Sequence, residues 1–196
     1  MSKPLFLTGM MGSGKSTVGR LLAASSGATF VDLDERIERL FGRSIAALFE
    51  DGEESFRDME GRALQTLIDE PGFCGRAVVV ATGGGVVIQA GNRQAMHQAG
   101  SVVFLDADPE TLLGRLLADE LERPGCRPLL NAAADSARAQ LDALLSRRRA
   151  AYEACDVSVD ATAAPHLVAA QVQAALQPTQ PGARPSESET TDSEAV

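Results

Sequence analysis

The sequence has few cysteines and no long apolar run, and both features limit the kind of protein that it encodes. Its three cysteines, Cys74, Cys126 and Cys155, are an odd number at wide spacings. They fit neither a disulfide framework nor a zinc pattern and indicate a reducing compartment. No apolar run approaches the roughly 18 residues of a membrane span, and the N-terminus lacks the apolar segment and cleavage site of a signal peptide. We therefore expect a cytoplasmic protein that has no membrane partner.

Basic residues are also scarce. The chain carries 18 Lys and Arg against 27 Asp and Glu, a net charge of −9. This balance argues against a nucleic-acid partner, because such proteins normally present a basic face. Residues 177–196 contain four acidic residues and one arginine, a charge of −3, and their composition predicts a disordered acidic tail. The remaining body stays at −6 (−9 minus −3), so an anionic ligand must meet locally placed cations.

Short apolar runs alternate with helical patterns along residues 1–176. Because all-apolar strands between helices are typical of a parallel sheet covered on both faces, we predict one α/β domain with three α/β/α layers around a five-stranded parallel sheet. In such sheets ligands bind beyond the carboxyl ends of the strands. Strands are predicted at 4–8, 28–32, 77–82, 101–107 and 157–161, and helices after the first strand and at 53–69, 108–118, 135–155 and 165–176.

The segment GMMGSGKST, residues 9–17, matches the phosphate-binding pattern G-x-x-x-x-G-K-[ST] between a predicted strand and a predicted helix. Backbone N–H groups of such a loop surround the phosphates of a nucleotide. Lys15 is expected to reach the β- and γ-phosphates, and the Ser16 hydroxyl to ligate Mg²⁺. The alternative is a glycine-rich turn with a solvated lysine. The residues predicted to bind ATP here are Gly12, Ser13, Gly14, Lys15, Ser16 and Thr17.

Asp32 ends the second predicted strand, and Asp34 lies two residues further along the chain. Side chains at i and i+2 of a strand point to the same side, so we predict that the two carboxylates lie side by side. Facing a nucleotide, one can hold the waters of a metal ion while the other accepts a substrate hydroxyl. The alternative is that they cap the helix that follows.

Other segments indicate the side that accepts the phosphate. Arg57 lies between the apolar Phe56 and Met59 and is expected to lean towards a ligand; the alternative is a surface arginine paired with Glu60. The segment TGGG, residues 82–85, follows an apolar strand, and we interpret it as backbone that lies flat against a ligand, because packing does not explain three glycines. Two arginine-rich segments, 122–130 and 146–156, supply cations that can stabilise a transferring phosphate.

Taken in order, these residues resemble the shikimate kinase family, a group of P-loop small-molecule kinases, over about residues 3 to 176. The phosphate loop alone is generic, but six motifs in this order are specific. They are G-x-M-G-x-G-K-S-T-x-G (9–19), F-x-D-x-D-x-x-I-E (30–38), I-x-x-L-F-x-x-x-G-E-x-x-F-R-x-x-E (45–60), T-G-G-G (82–85), R-P-L-L (127–130) and R-x-x-x-Y (148–152).

The resemblance implies ATP-dependent phosphorylation of the 3-hydroxyl of shikimate, in the pathway to the aromatic amino acids. It implies that Asp32 and Ser16 hold Mg²⁺ and that Lys15, Asp34 and Arg127 are catalytic. It implies a substrate-binding segment at about 33–62, a lid at about 118–131, and a monomer. Shikimate is expected to contact Asp34, Arg57, Gly83, Gly84 and Arg148, and ATP to contact Arg115 and Arg127 besides the phosphate loop.

Two departures from the family pattern leave alternatives open. The segment between Arg115 and Arg127 is long and acidic, so Arg123 can share or replace the role of Arg127. Arg148 is chosen only by its spacing to Tyr152, and Arg147 or Arg149 remains an alternative. The competing functions are a gluconate kinase-like enzyme and a catalytically inactive nucleotide-binding regulator.

Overall fold

The computed structural model describes residues 3–122 and 134–177 of the 196-residue chain. Within these ranges five parallel strands form one sheet with the order β2-β3-β1-β4-β5. This arrangement confirms the predicted fold class. The strands are β1 (Leu5–Thr8), β2 (Thr29–Asp32), β3 (Val78–Ala81), β4 (Ser101–Asp106) and β5 (Val157–Asp160).

Helices connect the strands and cover the sheet. Ser44 begins one of them, because its side chain accepts a hydrogen bond from the Ala47 N–H. The described helices are α1 (Lys15–Ser26), α2 (Leu33–Phe41), α3 (Ile45–Phe49), α4 (Glu53–Ile68), α5 (Ala90–Ala99), α6 (Pro109–Glu122), α7 (Ala134–Glu153) and α8 (Pro165–Ala175). None of them is long and apolar enough to cross a membrane.

Alternate residues of β1, β3 and β4 contribute to two separate hydrophobic clusters, one on each face of the sheet. Phe6 and Phe104 pack with residues of α2, α4 and α5, whereas Leu7 and Leu105 pack with residues of α1 and α8. The two central strands β1 and β3 are buried along their whole length, as expected for a parallel sheet that is covered on both faces. The three predicted layers are therefore present.

One predicted boundary differs from the structure by several residues. Helix α6 continues to Glu122 instead of ending at residue 118, so the first residues of the predicted lid, 118–122, are helical. Strand β2 ends at Asp32, as predicted, and Asp34 lies in the first turn of helix α2. The remainder of the lid prediction, 123–131, and nearly all of the predicted tail, 178–196, lie outside the described residues.

Candidate active site

The loop between β1 and α1 has the backbone conformation that its glycines permit. Gly9, Gly12 and Gly14 all have positive φ angles, and a Cβ on Gly9 would come within 2.6 Å of the Leu105 carbonyl oxygen. Gly14 precedes the first turn of α1 in the left-handed region. The loop therefore passes close to β4 and leads directly into the N-terminus of α1, as a phosphate-binding loop requires.

A cavity of about 520 Å³ opens above this loop at the carboxyl ends of the strands. The Lys15 ammonium lies against the loop and donates hydrogen bonds of 2.9 Å to the carbonyl oxygens of Gly9 and Met10. The cavity wall contains all six residues of 12–17 that are predicted to bind ATP, together with Asp32, Asp34, Thr82, Gly84 and Arg115. The residues predicted to bind ATP therefore line the same cavity as Asp34 and Gly84, two of the residues predicted to bind shikimate.

Asp32 makes contacts in two directions. Its Oδ2 accepts a hydrogen bond of 2.6 Å from the Ser16 hydroxyl, while its Oδ1 accepts from the backbone N–H groups of Asp34 and Glu35 and caps helix α2. Asp32 therefore caps α2, as the alternative expected, and also faces the phosphate loop, while its role in holding a metal ion stays a prediction. The prediction that Asp32 and Asp34 share one side of a strand is wrong, because α2 begins between them.

Asp34 projects from the first turn of α2 towards the turn that follows β3. A Cβ added to Gly83 would come within 2.7 Å of the Asp34 Oδ1 and within 2.8 Å of the Glu60 Oε1. Two carboxylates therefore flank the same glycine from different helices. This close approach brings Asp34 from α2 and Glu60 from α4 together, although they are 26 residues apart in the sequence.

Arg57 on α4 pairs with Glu60, as the surface-arginine alternative expected, but the pair is buried. The side chains of Arg57 and Glu60 are 11% and 2% exposed, and a second contact joins Arg57 Nη2 to Glu53 at 3.0 Å. The guanidinium also lies over the rings of Phe49 and Phe56. The Arg57 guanidinium therefore differs from that of a solvated arginine, because the surrounding side chains fix its orientation.

The carboxyl of Glu60 is strongly perturbed by its surroundings. Burial raises its pKa to about 7, and the nearby charge of Asp34 adds to the rise, although Arg57 and Arg148 oppose it. From the sequence alone, Glu60 is predicted only as a surface partner of Arg57. Its position three residues after Arg57 in F-R-x-x-E was the signal that could have identified it.

The raised pKa of Glu60 predicts a specific dependence of stability on pH. The folded state keeps the Glu60 proton to about pH 7, whereas the unfolded chain releases it near its ordinary pKa of 4.5. The Glu60 contribution to the free energy of unfolding is therefore full below about pH 4.5 and falls, by on the order of 3 kcal/mol, as the pH rises to about 7. Glu60→Gln removes this term, so the variant should become more stable relative to wild type across that window. Thermal unfolding at several pH values measures the difference.

Glu53→Gln is the matched control for this prediction. Glu53 lies on the same helix and contacts the same arginine, but its side chain is 66% exposed. Its difference from wild type should stay nearly constant between pH 5.5 and about pH 7. A wild-type minus Glu60→Gln difference that is equally flat would contradict the assignment.

The glycines of the TGGG segment are explained in part by packing, contrary to the prediction. Gly83 accommodates the two carboxylates, and a Cβ on Gly85 would overlap the Arg57 guanidinium. Gly84 lies beside the phosphate loop, where a Cβ would come within 3.4 Å of the Met11 nitrogen. The premise that packing cannot require these glycines is therefore wrong, while the prediction that their backbone contacts a ligand stays a prediction.

Helix α7 directs its three consecutive arginines to different places. Arg148 Nη1 lies 3.5 Å from the Gly84 carbonyl oxygen, whereas Arg147 folds back on its own helix at the Ala143 carbonyl oxygen. Arg149 pairs with Asp106 and Glu153 at the surface. Of the three arginines, only Arg148 reaches the TGGG segment, residues 82–85, which we call the glycine turn. This contact agrees with the choice of Arg148 by its spacing to Tyr152.

Arg115 on α6 joins the phosphate loop to the loop after β5. Its guanidinium donates to the carbonyl oxygens of Gly12, Thr162 and Ala163 at 3.4, 3.1 and 3.3 Å. It therefore lines the cavity between the phosphate loop and the loop after β5, where the resemblance expects the adenine. Arg123 and Arg127 lie outside the described residues.

Comparison with known proteins identifies the family. The model of the family described as "SKI: Shikimate kinase" matches residues 11–177. A shikimate kinase of Gloeobacter violaceus is 46% identical over 165 residues, which cover 84% of this chain and 87% of that protein. The chain belongs to the shikimate kinase family. The predicted ATP-dependent phosphotransferase of aromatic amino acid biosynthesis is thereby confirmed.

Solved structures agree with this assignment. The structure of shikimate kinase from Acinetobacter baumannii in complex with shikimate has a TM-score of 0.77 and 35% identity, and the match covers 88% of this chain and 92% of that one. A gluconokinase from Sinorhizobium meliloti has a TM-score of 0.54 at 20% identity, covering 89% and 91% of the two chains. The second likeness is one of fold alone.

Proposed function

We propose that the described cavity transfers the γ-phosphate of ATP to the 3-hydroxyl of shikimate, with the nucleotide on the phosphate loop and shikimate on the glycine turn. The observation that supports this division is the contact between the two halves. Gly84 of the acceptor turn lies against the phosphate loop at Met11, and Asp32 contacts Ser16 while capping the helix that carries Asp34. A hydroxyl held at Asp34 is therefore next to the end of a phosphate chain held at Lys15.

On the nucleotide side, backbone N–H groups of residues 12–17 would hold the phosphates, with the N-terminus of α1 favouring their negative charge. The Lys15 ammonium already occupies a position over this loop and would exchange its carbonyl partners for phosphate oxygens. Arg115 and the loop after β5 would enclose the base. In this proposal the predicted lid arginine, Arg127 or Arg123, would add a cation over the transferring group.

Ser16 and Asp32 fit a magnesium ion. Their oxygen atoms lie 2.6 Å apart at the mouth of the phosphate loop, and Mg²⁺ prefers a small number of protein oxygens combined with water and substrate phosphates. In the part of the chain that the structure describes, no group of three or more His, Cys, Asp or Glu could hold a metal ion. A bound ion would neutralise charge on the β- and γ-phosphates.

On the acceptor side, the charges suit a carboxylate ligand. Arg57 and Arg148 supply two positive charges, and Asp34 and Glu60 supply two negative charges when both are ionised. Because burial raises the pKa of Glu60 to about 7, its protonated form removes one of the negative charges that compete for the two arginines. The arginines would then bind the carboxylate of shikimate, while Asp34 accepts a hydrogen bond from the 3-hydroxyl and acts as its base.

Neither alternative function is favoured. The gluconokinase likeness rests on fold, whereas the paired arginines at the glycine turn suit a rigid carboxylate. An inactive regulator would have no need to keep Lys15, Ser16, Asp32 and Asp34 around one cavity. The described residues of both ligand sites come from one copy of the chain, so we also propose that the enzyme works as a monomer.

Measurement of ADP release with shikimate or gluconate as acceptor tests the proposal. Wild type should release ADP with shikimate and remain at background with gluconate. Arg148→Ala should raise the KM for shikimate by roughly 10- to 100-fold, because a charge-assisted contact to the carboxylate is lost. Its KM for ATP should change by less than about threefold, since Arg148 faces the glycine turn.

The neighbouring arginines give matched controls. Arg147→Ala and Arg149→Ala remove the same charge one residue away, from exposed positions that contact Ala143, Asp106 and Glu153. Both should keep the KM for shikimate within about twofold of wild type. Release of ADP with gluconate but not with shikimate would overturn the proposed substrate, and equal effects of all three variants would overturn the role of Arg148.

A further inference from the structure

Tyr152 is the single tyrosine of a chain without tryptophan, and its ring is fixed against the sheet. The residue is 1% exposed. The ring stacks on Phe104 of β4, with the ring centroids 5.1 Å apart and the planes 4° from parallel. Helix α7 therefore carries the ring into the core, and the direction of the hydroxyl is set by that packing.

The Tyr152 hydroxyl lies between the phosphate loop and the glycine turn. It donates a hydrogen bond to the Gly84 carbonyl oxygen and lies 3.9 Å from the Met10 Sδ of the phosphate loop. Arg148, one turn earlier on α7, approaches the same carbonyl oxygen. Two side chains of α7, those of Tyr152 and Arg148, thus approach the same Gly84 carbonyl oxygen.

The glycine turn needs such an anchor. Its outer carbonyls are held within the turn, since the Val86 N–H donates to Gly83 and the Ile88 N–H donates to Gly85. The Gly84 carbonyl points instead towards α7. Because consecutive glycines have the widest backbone freedom and each peptide unit is planar, a bond to the Gly84 oxygen also orients the N–H of Gly85.

We propose that Tyr152 is a positioning residue for the acceptor site, whose hydroxyl fixes the Gly84 carbonyl and so sets the orientation of the glycine turn and of Arg148 towards shikimate. This inference rests on the proposed function, because it assumes that shikimate binds at the turn. The hydroxyl itself does not touch the reacting atoms. Its loss should therefore affect shikimate more than ATP.

Tyr152→Phe tests the inference, because phenylalanine keeps the stacked ring and removes only the hydroxyl. The KM for shikimate should rise by roughly five- to tenfold, the effect of one lost hydrogen bond. The KM for ATP should stay within about twofold and kcat within about threefold. Thr8→Val is the matched control: it removes a buried hydroxyl that donates to the Val103 carbonyl oxygen and should lower Tm with both KM values unchanged.

A second measurement uses the wild-type protein. Since Tyr152 is the single tyrosine and tryptophan is absent, the near-ultraviolet tyrosine band reports on this hydroxyl alone. Shikimate should perturb the band and saturate the change at concentrations close to its KM, and this readout decides the question if Tyr152→Phe does not fold.

The outcomes are separable from those of the proposed function. If wild type releases no ADP with shikimate, the proposed function fails. If wild type is active, three results would each overturn the role of Tyr152: an unchanged KM for shikimate in Tyr152→Phe, equal increases for both substrates, or a tyrosine band that shikimate leaves unchanged.

Discussion

Asp34→Asn is expected to lower kcat by roughly 10²- to 10⁴-fold while the KM for ATP stays within about twofold of wild type. The amide keeps the size of the side chain but cannot take the proton of the attacking hydroxyl. The start of helix α2 should survive the change, since Asp32 provides its cap. Steady-state kinetics with each substrate varied in turn separate the two effects, and Tm shows whether the fold is intact.

Asp58→Asn makes the same chemical change at an exposed position next to Arg57. It should leave kcat within about twofold of wild type, which removes the general loss of negative charge near α4 as an explanation. If Asp34→Asn kept a kcat close to that of wild type, Asp34 would not be the base, and its carboxylate would serve only to position the hydroxyl.

Lys15→Ala should reduce kcat/KM for ATP by at least roughly 10³-fold, with losses in both binding and turnover. The ammonium is the cation that lies directly over the phosphate loop, at 2.9 Å from two of its carbonyl oxygens. A binding measurement with a fluorescent ATP analogue gives the loss of affinity separately from the loss of rate.

The scarcity of lysine makes this test clean. Lys3 and Lys15 are the only two lysines of the chain, and Lys3→Ala at the exposed N-terminus should be indistinguishable from wild type. An amine-reactive reagent should also inactivate wild type at a rate that ATP lowers, with the modified residue identified as Lys15 by mass spectrometry. A Lys15→Ala enzyme with nearly normal kcat/KM for ATP would contradict the nucleotide assignment.

Much of the fold was predictable because its signals are local. The strands β1, β3 and β4 contain the apolar runs LFL, VVVA and VVFL, which are followed by Thr8, Thr82 and Asp106, and burial on both faces of a parallel sheet requires such runs. The end of α6 was predicted too early, since residues 119–122 were read as part of a lid. Their sequence, DELE, is also compatible with a helix.

The residues of the site were predictable only where they belong to a recognisable motif. The phosphate loop, Asp32 and Arg148 lie where their motifs suggested, but the burial of the Arg57–Glu60 pair depends on α2 and the glycine turn, which are distant in sequence. A spacing of three residues describes an exposed pair and a buried pair equally well. For the same reason the role of the Tyr152 hydroxyl was not predictable, because it depends on the contacts with Gly84 and Met10.

The two carboxylate oxygens of Asp32 connect the phosphate loop to helix α2. One side chain ties the nucleotide loop, through Ser16, to the first turn of the helix that carries Asp34. Under the proposed function, the spacing between phosphate donor and hydroxyl acceptor is thus set at the junction of β2 and α2, where Asp32 contacts both Ser16 and the first turn of α2. Under the proposed function, substitutions in α4 and the glycine turn should change which acceptor is bound, while the contacts of Asp32 that set the geometry of transfer are kept.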